Sequence, residues 1–160
     1  MIKIGYGYDS HNLTENRDLI LGGVKIPYFK GLEGHSDADV LTHAICDALL
    51  GAMGKGDIGE HFPPDERKYK DISSFSLLKD VLKMLEEAKY KIVNIDTLII
   101  AEEPKMSPFK KKMKDRLNQV LNLGEDSLNI KATTMEARGS IGRGEAIAAK
   151  AVVLIEKEKD

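Results

Sequence analysis

The sequence predicts an α+β protein, a mixed β-sheet with helices packed on one side. Three observations predict it. Residues 2–9 (IKIGYGYD) alternate as a strand does, residues 38–53 carry Leu41, Ile45, Leu49 and Ala52 at helical spacing, and residues 146–156 (AIAAKAVVLIE) are apolar on both faces. Strands and helices follow one another in the order ββα–αβα–ββ, which places helices on one side of a mixed sheet.

In chain order, Ile2 and Ile4 share one face of the first strand. Residues 18–28 read as a hairpin, LIL and VKIP flanking Gly22-Gly23. GLEGHSDAD is a polar turn whose Ser36 and Asp37 are candidate caps of the helix that follows. Residues 54–72 form a long connection broken by Gly and Pro-Pro, and long loops in compact domains are often functional. Ser73 or Ser74 caps a second helix with Leu78, Leu82 and Leu85 in its stripe. A strand is expected at 92–101, then a helix opened by Ser107-Pro108 that runs through Leu121 and stops at Gly124, then a strand at 128–134. The doubly apolar last strand belongs either inside a sheet covered on both faces or at a subunit contact.

Composition narrows the function. The 160 residues fit one domain, 1–160, with 42% hydrophobic and 31% charged residues and a net charge of -2. That charge gives no footprint for nucleic acid or an anionic membrane. No apolar run approaches the roughly 20 residues that span a bilayer. A single cysteine, Cys46, allows no internal disulfide and reads as a small buried hydrophobe in a reducing compartment. With no targeting pattern at the amino terminus, a cytoplasmic location is expected.

Chemistry concentrates in a few residues. Asp9 and His11 lie two apart at a strand end and point to one side, and His43 sits on the helix after GHSDAD. One carboxylate and two imidazoles leave a tetrahedral position open, as catalytic zinc sites do, and imidazole favours zinc over magnesium. The alternative is a surface Asp-His pair and a core histidine. Asp39 and Asp47, four residues to either side of His43, are candidates to accept its other N–H; Asp39 could equally serve the helix dipole. Ser36 is a cap or, at a helix amino terminus, part of a phosphate site. Asp57 in GDIG is a turn former. KATTMEARGSIGRGE puts Thr133, Thr134 and Glu136 at a strand end before a glycine-rich stretch, which suits either a phosphate–magnesium complex or an irregular turn. Lys110, Lys111, Lys112 and Lys114 read as a solvated helix face, and His61 has no evident partner.

Together these segments resemble the 2-C-methyl-D-erythritol 2,4-cyclodiphosphate synthase family over essentially the whole chain. The resemblance rests on GYGYDSH, LGGVKIPYFKGLEGHSDADVLTHAICDALLGAMGKGDIGEHFP, AEEPKM and KATTMEARGSIGRGE, in order and at the family's spacing. It implies zinc, or another divalent cation, on Asp9, His11 and His43, with Asp9 and His11 also facing the substrate. His35 and Thr134 match the positions that stabilise the transition state. Ser36, Asp57, Ile58, Gly59 and Phe62 match the methylerythritol and phosphate site, and Ala101, Pro104, Lys105 and Met106 the wall around the cytidine. Thr133 and Met135 flank Thr134 in the binding loop, Glu136 matches a magnesium or manganese ligand, and Arg143 lies close to the substrate and a threefold axis. FPPDERKYKD departs from the family's usual stretch, so the acid for the substrate hydroxyls is Asp65 or Glu66. Met135 stands where Thr is common and Ser140 where an aromatic is common.

The resemblance also implies a homotrimer, sheets packed around the threefold axis, with each site between two subunits. The implied reaction is attack of the substrate's own 2-phosphate on the β-phosphorus of its cytidine diphosphate, releasing CMP. No protein nucleophile is needed, and positioning with charge neutralisation carries such transfers. The rival readings are a zinc-dependent phosphohydrolase and a non-catalytic trimer that binds isoprenoid phosphates.

Overall fold

Alternation at the start of the chain continues past residue 9. Strand β1 runs Ile2–Glu15 and sorts its side chains by face. Ile2, Ile4, Tyr6 and Tyr8 stand 62, 70, 58 and 47% exposed on one face, while Gly5 and Gly7 are buried on the other. Those glycines set what covers the buried face. A β-carbon on Gly5 would lie 1.8 Å from the Ala48 carbonyl oxygen, and one on Gly7 2.0 Å from that of Ala44. Only glycine lets a helix backbone approach a strand so closely. The helix is α1 (Val40–Met53), which ends at a left-handed Gly54.

This computed structural model describes residues 1–63 and 72–158. Five strands form one sheet in the order β4-β1-β7-β5-β6, with β4 at Lys30–Leu32, β5 at Tyr90–Ile100, β6 at Leu128–Thr133 and β7 at Ala146–Lys157. β5 and β6 are parallel and the other pairs antiparallel, so the sheet is mixed, as the sequence predicts. The predicted hairpin is present as β2 (Leu19–Leu21) and β3 (Val24–Ile26), with Gly22 and Gly23 at φ of 55° and 69°. Two positive φ angles in a two-residue loop match strand twist, which glycine permits without strain. Two longer helices follow, α3 (Ser74–Glu87) and α4 (Lys110–Leu121), and two single-turn helices, α2 (Ile58–His61) and α5 (Gly139–Gly142). Leu41, Ile45 and Leu49 of α1, Leu78 of α3 and Met113 of α4 share one core with Ile95, Ile99 and Val153 of the sheet, all with no solvent exposure. α1, α3 and α4 therefore pack on one face of the sheet. Among the described residues, no helix is long and apolar enough to cross a membrane.

The structure corrects several local expectations. α1 starts at Val40 with Asp39 as its cap, not Ser36 or Asp37, because Ala38 adopts a left-handed φ of 55° that helical backbone cannot continue. Asn122, left-handed at φ 50°, ends α4 before Gly124 is reached; its neighbours are tied by Asn118, whose side chain accepts from the Leu123 N–H at 2.8 Å. β7 is covered on both faces only over Ala146–Ala149. Beyond it Val152 is 45% exposed. The short β4, missed in the sequence, pairs with the far end of β1.

Candidate metal centre and its cleft

Strand and helix registers bring the chemistry together. Gly5 lies under Ala48 and Gly7 under Ala44, so the next residue on that face of β1, Asp9, meets the first turn of α1. His43 is there. Its Nδ1 stands 3.0 Å from Asp9 Oδ2, and His11 Nε2 stands 3.1 Å from the same oxygen. One donor atom each from Asp9, His11 and His43 falls within 4.8 Å of the others, a group that could hold a metal ion. The rings meet edge to face, centroids 5.7 Å apart. The side chains are 25, 25 and 12% exposed for Asp9, His11 and His43, so the centre opens to solvent on one side only.

Electrostatics agree with cation binding. Burial raises the Asp9 carboxyl, but hydrogen bonds from His11 and His43 outweigh it and hold the group well below the usual carboxylate range. Burial lowers the His43 ring, yet the hydrogen bond and charge of Asp9, with Asp39 and Asp37 behind, leave it above its ordinary value. Without a metal, a proton takes the place of the cation between them.

Neither Asp39 nor Asp47 holds His43. Asp39, fully buried, spends its oxygens on four donors: the Gly22, Gly23 and Thr42 N–H groups and the Thr42 hydroxyl, at 2.8–3.0 Å. It thereby caps α1 and ties the β2–β3 turn to it. That carboxylate also occupies the amino terminus of α1, while Ser36 lies one turn earlier on the wall of the cleft. Asp47 turns to accept the Ile58 N–H at 2.8 Å. The partners of His43 Nε2 are hydroxyls instead, Ser74 Oγ at 2.8 Å and Ser36 Oγ at 3.2 Å. Ser74 lies 31 residues on, at the start of α3, beyond the reach of helical spacing.

A cleft of about 220 Å³ adjoins the centre, lined by the three metal-site residues, His35, Ser36, Ile58, Gly59, Phe62, Ile72 and Leu77. Thus the predicted His35, Ser36, Ile58, Gly59 and Phe62 do gather around Asp9, His11 and His43. Arg17, unnoticed in the sequence, clamps the turn that carries His35, donating to the Gly34 and Ser36 carbonyls at 2.9 Å each. Asp57 is exposed and caps α2, accepting the Glu60 N–H at 3.0 Å. His61 does have a partner, its Nε2 standing 2.7 Å from the Lys55 carbonyl. Asp65 and Glu66 lie outside the described residues.

None of the remaining predicted residues lines this cleft, and those around Ala101 and Thr134 lie together at another place on the sheet. Ala101 N–H donates to the Thr133 carbonyl at 3.1 Å, which joins the Ala101–Met106 segment to the loop after β6. There Glu136 and Ala137 both have positive φ, 49° and 61°. Glu102, a residue that no spacing in the sequence singles out, stabilises that turn: its carboxylate accepts the Met135 N–H at 3.2 Å and the Ala137 N–H at 3.1 Å. Thr134 and Glu136 are exposed, and Arg143 forms a two-point ion pair with Glu145 at 2.7 and 3.1 Å.

The YgbB family profile matches residues 2–156. A 2-C-methyl-D-erythritol 2,4-cyclodiphosphate synthase from Caldicellulosiruptor bescii is 56% identical over 155 residues, 97% of this chain and 99% of the relative. One from Syntrophomonas wolfei is 51% identical over 156 residues, 98% of this chain and 99% of the relative. Among solved structures, the bifunctional IspDF from Campylobacter jejuni aligns with a TM-score of 0.95 at 42% identity over 99% of this chain, which spans only 43% of that longer protein. The IspF–CDP complex from Plasmodium falciparum aligns with a TM-score of 0.87 at 35% identity, covering 99% of this chain and 97% of that one.

Proposed function

The chain belongs to the YgbB family, and from that premise and the geometry of its cleft we propose that it makes a cyclic diphosphate. The substrate is 4-diphosphocytidyl-2-C-methyl-D-erythritol 2-phosphate; the products are 2-C-methyl-D-erythritol 2,4-cyclodiphosphate and CMP. The observation that carries this reading is the convergence of Asp9, His11 and His43 on one point at the edge of a largely apolar cleft. Two imidazoles and one carboxylate suit zinc better than magnesium.

Bound there with a position open, zinc would withdraw charge from a phosphate oxygen. The protein's part is positioning. His35 and Ser36 border the metal group on the turn held by Arg17, while Ile58, Phe62, Ile72 and Leu77 keep water from the reacting phosphates. An oxygen of the substrate's 2-phosphate then attacks the β-phosphorus, the bond to the α-phosphate breaks, and CMP leaves with that bridging oxygen. Holding attacker and target together supplies roughly 7–11 kcal/mol of such a barrier. Glu136 would hold magnesium or manganese, which take oxygen donors, Thr134 would contact the transferring group, and Ala101, Pro104, Lys105 and Met106 would wall the cytidine.

Distance within one subunit supports placing the site between subunits, in the homotrimer that the family resemblance implies. Asp9, Ala149, Ile99 and Ala132 form one row across β1, β7, β5 and β6. Three strand spacings of ~4.8 Å put the end of β6 roughly 14 Å from the metal group, so one diphosphate does not span both clusters within a subunit. The loop carrying Thr134 and Glu136 would instead complete the cleft of a neighbour. The bare sheet face of Ile2, Ile4, Tyr6, Tyr8 and Val152 is the apolar surface such an assembly would bury.

Running the reaction in oxygen-18 water tests the chemistry. Internal cyclisation leaves CMP and the cyclic product unlabelled and in equal amounts by phosphorus NMR. Label in CMP or in an open-chain diphosphate would make water the nucleophile, and a zinc phosphohydrolase would replace this reading.

A further inference from the structure

Only one nitrogen of His43 faces Asp9, and what holds the other decides whether the first can bind a cation. On the far side of the ring, Nε2 stands 2.8 Å from Ser74 Oγ, and Ser74 in turn hydrogen-bonds Asp37 Oδ1. The direction of this chain can be worked out from Asp37. Its Oδ1 also accepts the Asp39 N–H at 3.2 Å, and its Oδ2 accepts the Ser74 N–H at 3.0 Å. Both carboxyl oxygens already meet N–H donors, and the Ser74 hydroxyl donates to Oδ1. A hydroxyl has one proton. Ser74 therefore accepts from His43, which keeps a proton on Nε2 and leaves Nδ1 facing Asp9 Oδ2, 3.0 Å away, across the place that a proton fills in the metal-free protein and a metal ion would take. Two acceptors facing each other call for a cation between them.

We propose that Ser74 and Asp37 are positioning residues for the metal: through the hydroxyl of Ser74, Asp37 selects the tautomer in which His43 ligates by Nδ1. Metal-bound histidines are commonly oriented in this way by the group on their other nitrogen. Here the device reaches across the fold. Asp37 sits in the turn before α1 and Ser74 is the first residue of α3, and Asp37 N–H also donates to the Ile72 carbonyl at 3.3 Å. The end of the loop that precedes α3 is thus tied to the metal ligand. Ser36 Oγ, at 3.2 Å from the same nitrogen and accepting the Ala38 N–H at 3.1 Å, is the weaker second acceptor.

The inference rests on Asp9, His11 and His43 holding a divalent cation, and its test separates the two. Zinc affinity is measured by chelator competition for wild type, Ser74→Ala, Asp37→Asn and the double variant. Loss of an orienting partner should weaken zinc binding about 10–100-fold in each single variant. The double variant should lose no more than the worse single one, because Asp37 acts through Ser74. Alanine suits the first turn of α3, where Ser73 is the cap, and keeps the N–H bond to Asp37, so Ser74→Ala should still fold cooperatively when metal-free, with its thermal midpoint measured beside the zinc affinity. In zinc-loaded wild type, proton NMR should find a slowly exchanging His43 Nε2–H that Ser74→Ala loses. Should wild type take up no zinc, the metal reading falls and this inference with it. Should wild type bind zinc and Ser74→Ala bind as tightly with the same protected Nε2–H, only the positioning role is overturned.

Discussion

At the scale of single residues, Asp9 and His43 make stability and metal uptake depend on pH in opposite senses. The His43 ring is held above its ordinary value near 6.5, so its contribution to folding is complete below that pH and is lost as pH rises through the raised value. The Asp9 carboxyl is held low, so its contribution is complete above about pH 4 and is lost only in strong acid. Metal-free protein should accordingly be most stabilised by this pair between about pH 4 and 6.5. Its thermal midpoint should fall on the alkaline side, a fall that His43→Ala would lack. Zinc affinity should move the other way and rise with pH, since the cation displaces the His43 proton. A zinc titration insensitive to pH would contradict that competition. The second cluster supports a separate prediction. Glu136→Gln should weaken the magnesium dependence of activity while zinc content stays unchanged. Glu102→Ala should give part of the same effect by releasing the Met135 and Ala137 N–H groups. Loss of zinc in either variant would mean that the two metals share ligands.

Among elements, the pairing of β1 with α1 determines the site. Gly5 and Gly7 bring the strand against the backbone of Ala44 and Ala48, and this closeness sets His43 over Asp9. Gly7→Ala adds a carbon 2.0 Å from a carbonyl oxygen, an overlap that only a shift of α1 can relieve. Overpacking of this kind costs roughly 1–3 kcal/mol. The variant should therefore melt earlier and bind zinc more weakly, both readable by calorimetry. An unchanged melting point with normal zinc binding would show that α1 moves freely over the strand. The same alternation was legible in the sequence as IKIGYGYD, and it correctly put Asp9 and His11 on one side. Helical periodicity alone misled in one respect. It offered Asp39 and Asp47 to His43 because they lie four residues away, but capping and the Ile58 N–H had already claimed them.

For the whole molecule, the bare face of the sheet matters most. Ile4 at 70% exposure and Tyr6 at 58% lie beside Leu154 and Val152 of β7 in the ladder, a continuous apolar strip on a charged protein. If the site is shared as proposed, light scattering should give a homotrimer, and Ile4→Lys should yield a folded monomer with little activity. A fully active monomer would refute the shared site.

What the sequence by itself determined is whatever depends on local spacing or on ordered motifs: the α+β class, the hairpin, the helices, the Asp9–His11–His43 group and the resemblance to a synthase family. The class, the hairpin and the helices are short-range signals, one side chain every two or every 3.6 residues; the link from Asp9 and His11 to His43 came from the ordered motifs that carry the resemblance. Only the tertiary structure decided the rest. Ser74 reaching His43 across 31 residues, Glu102 supporting the loop of Glu136, and Arg17 clamping the turn of His35 are contacts between segments that no periodicity links. The faces of β7 were left open for the same reason. An apolar strand is equally compatible with a helix, a second sheet or another subunit above it, and only the placement of the helices on one side settled which face stayed bare.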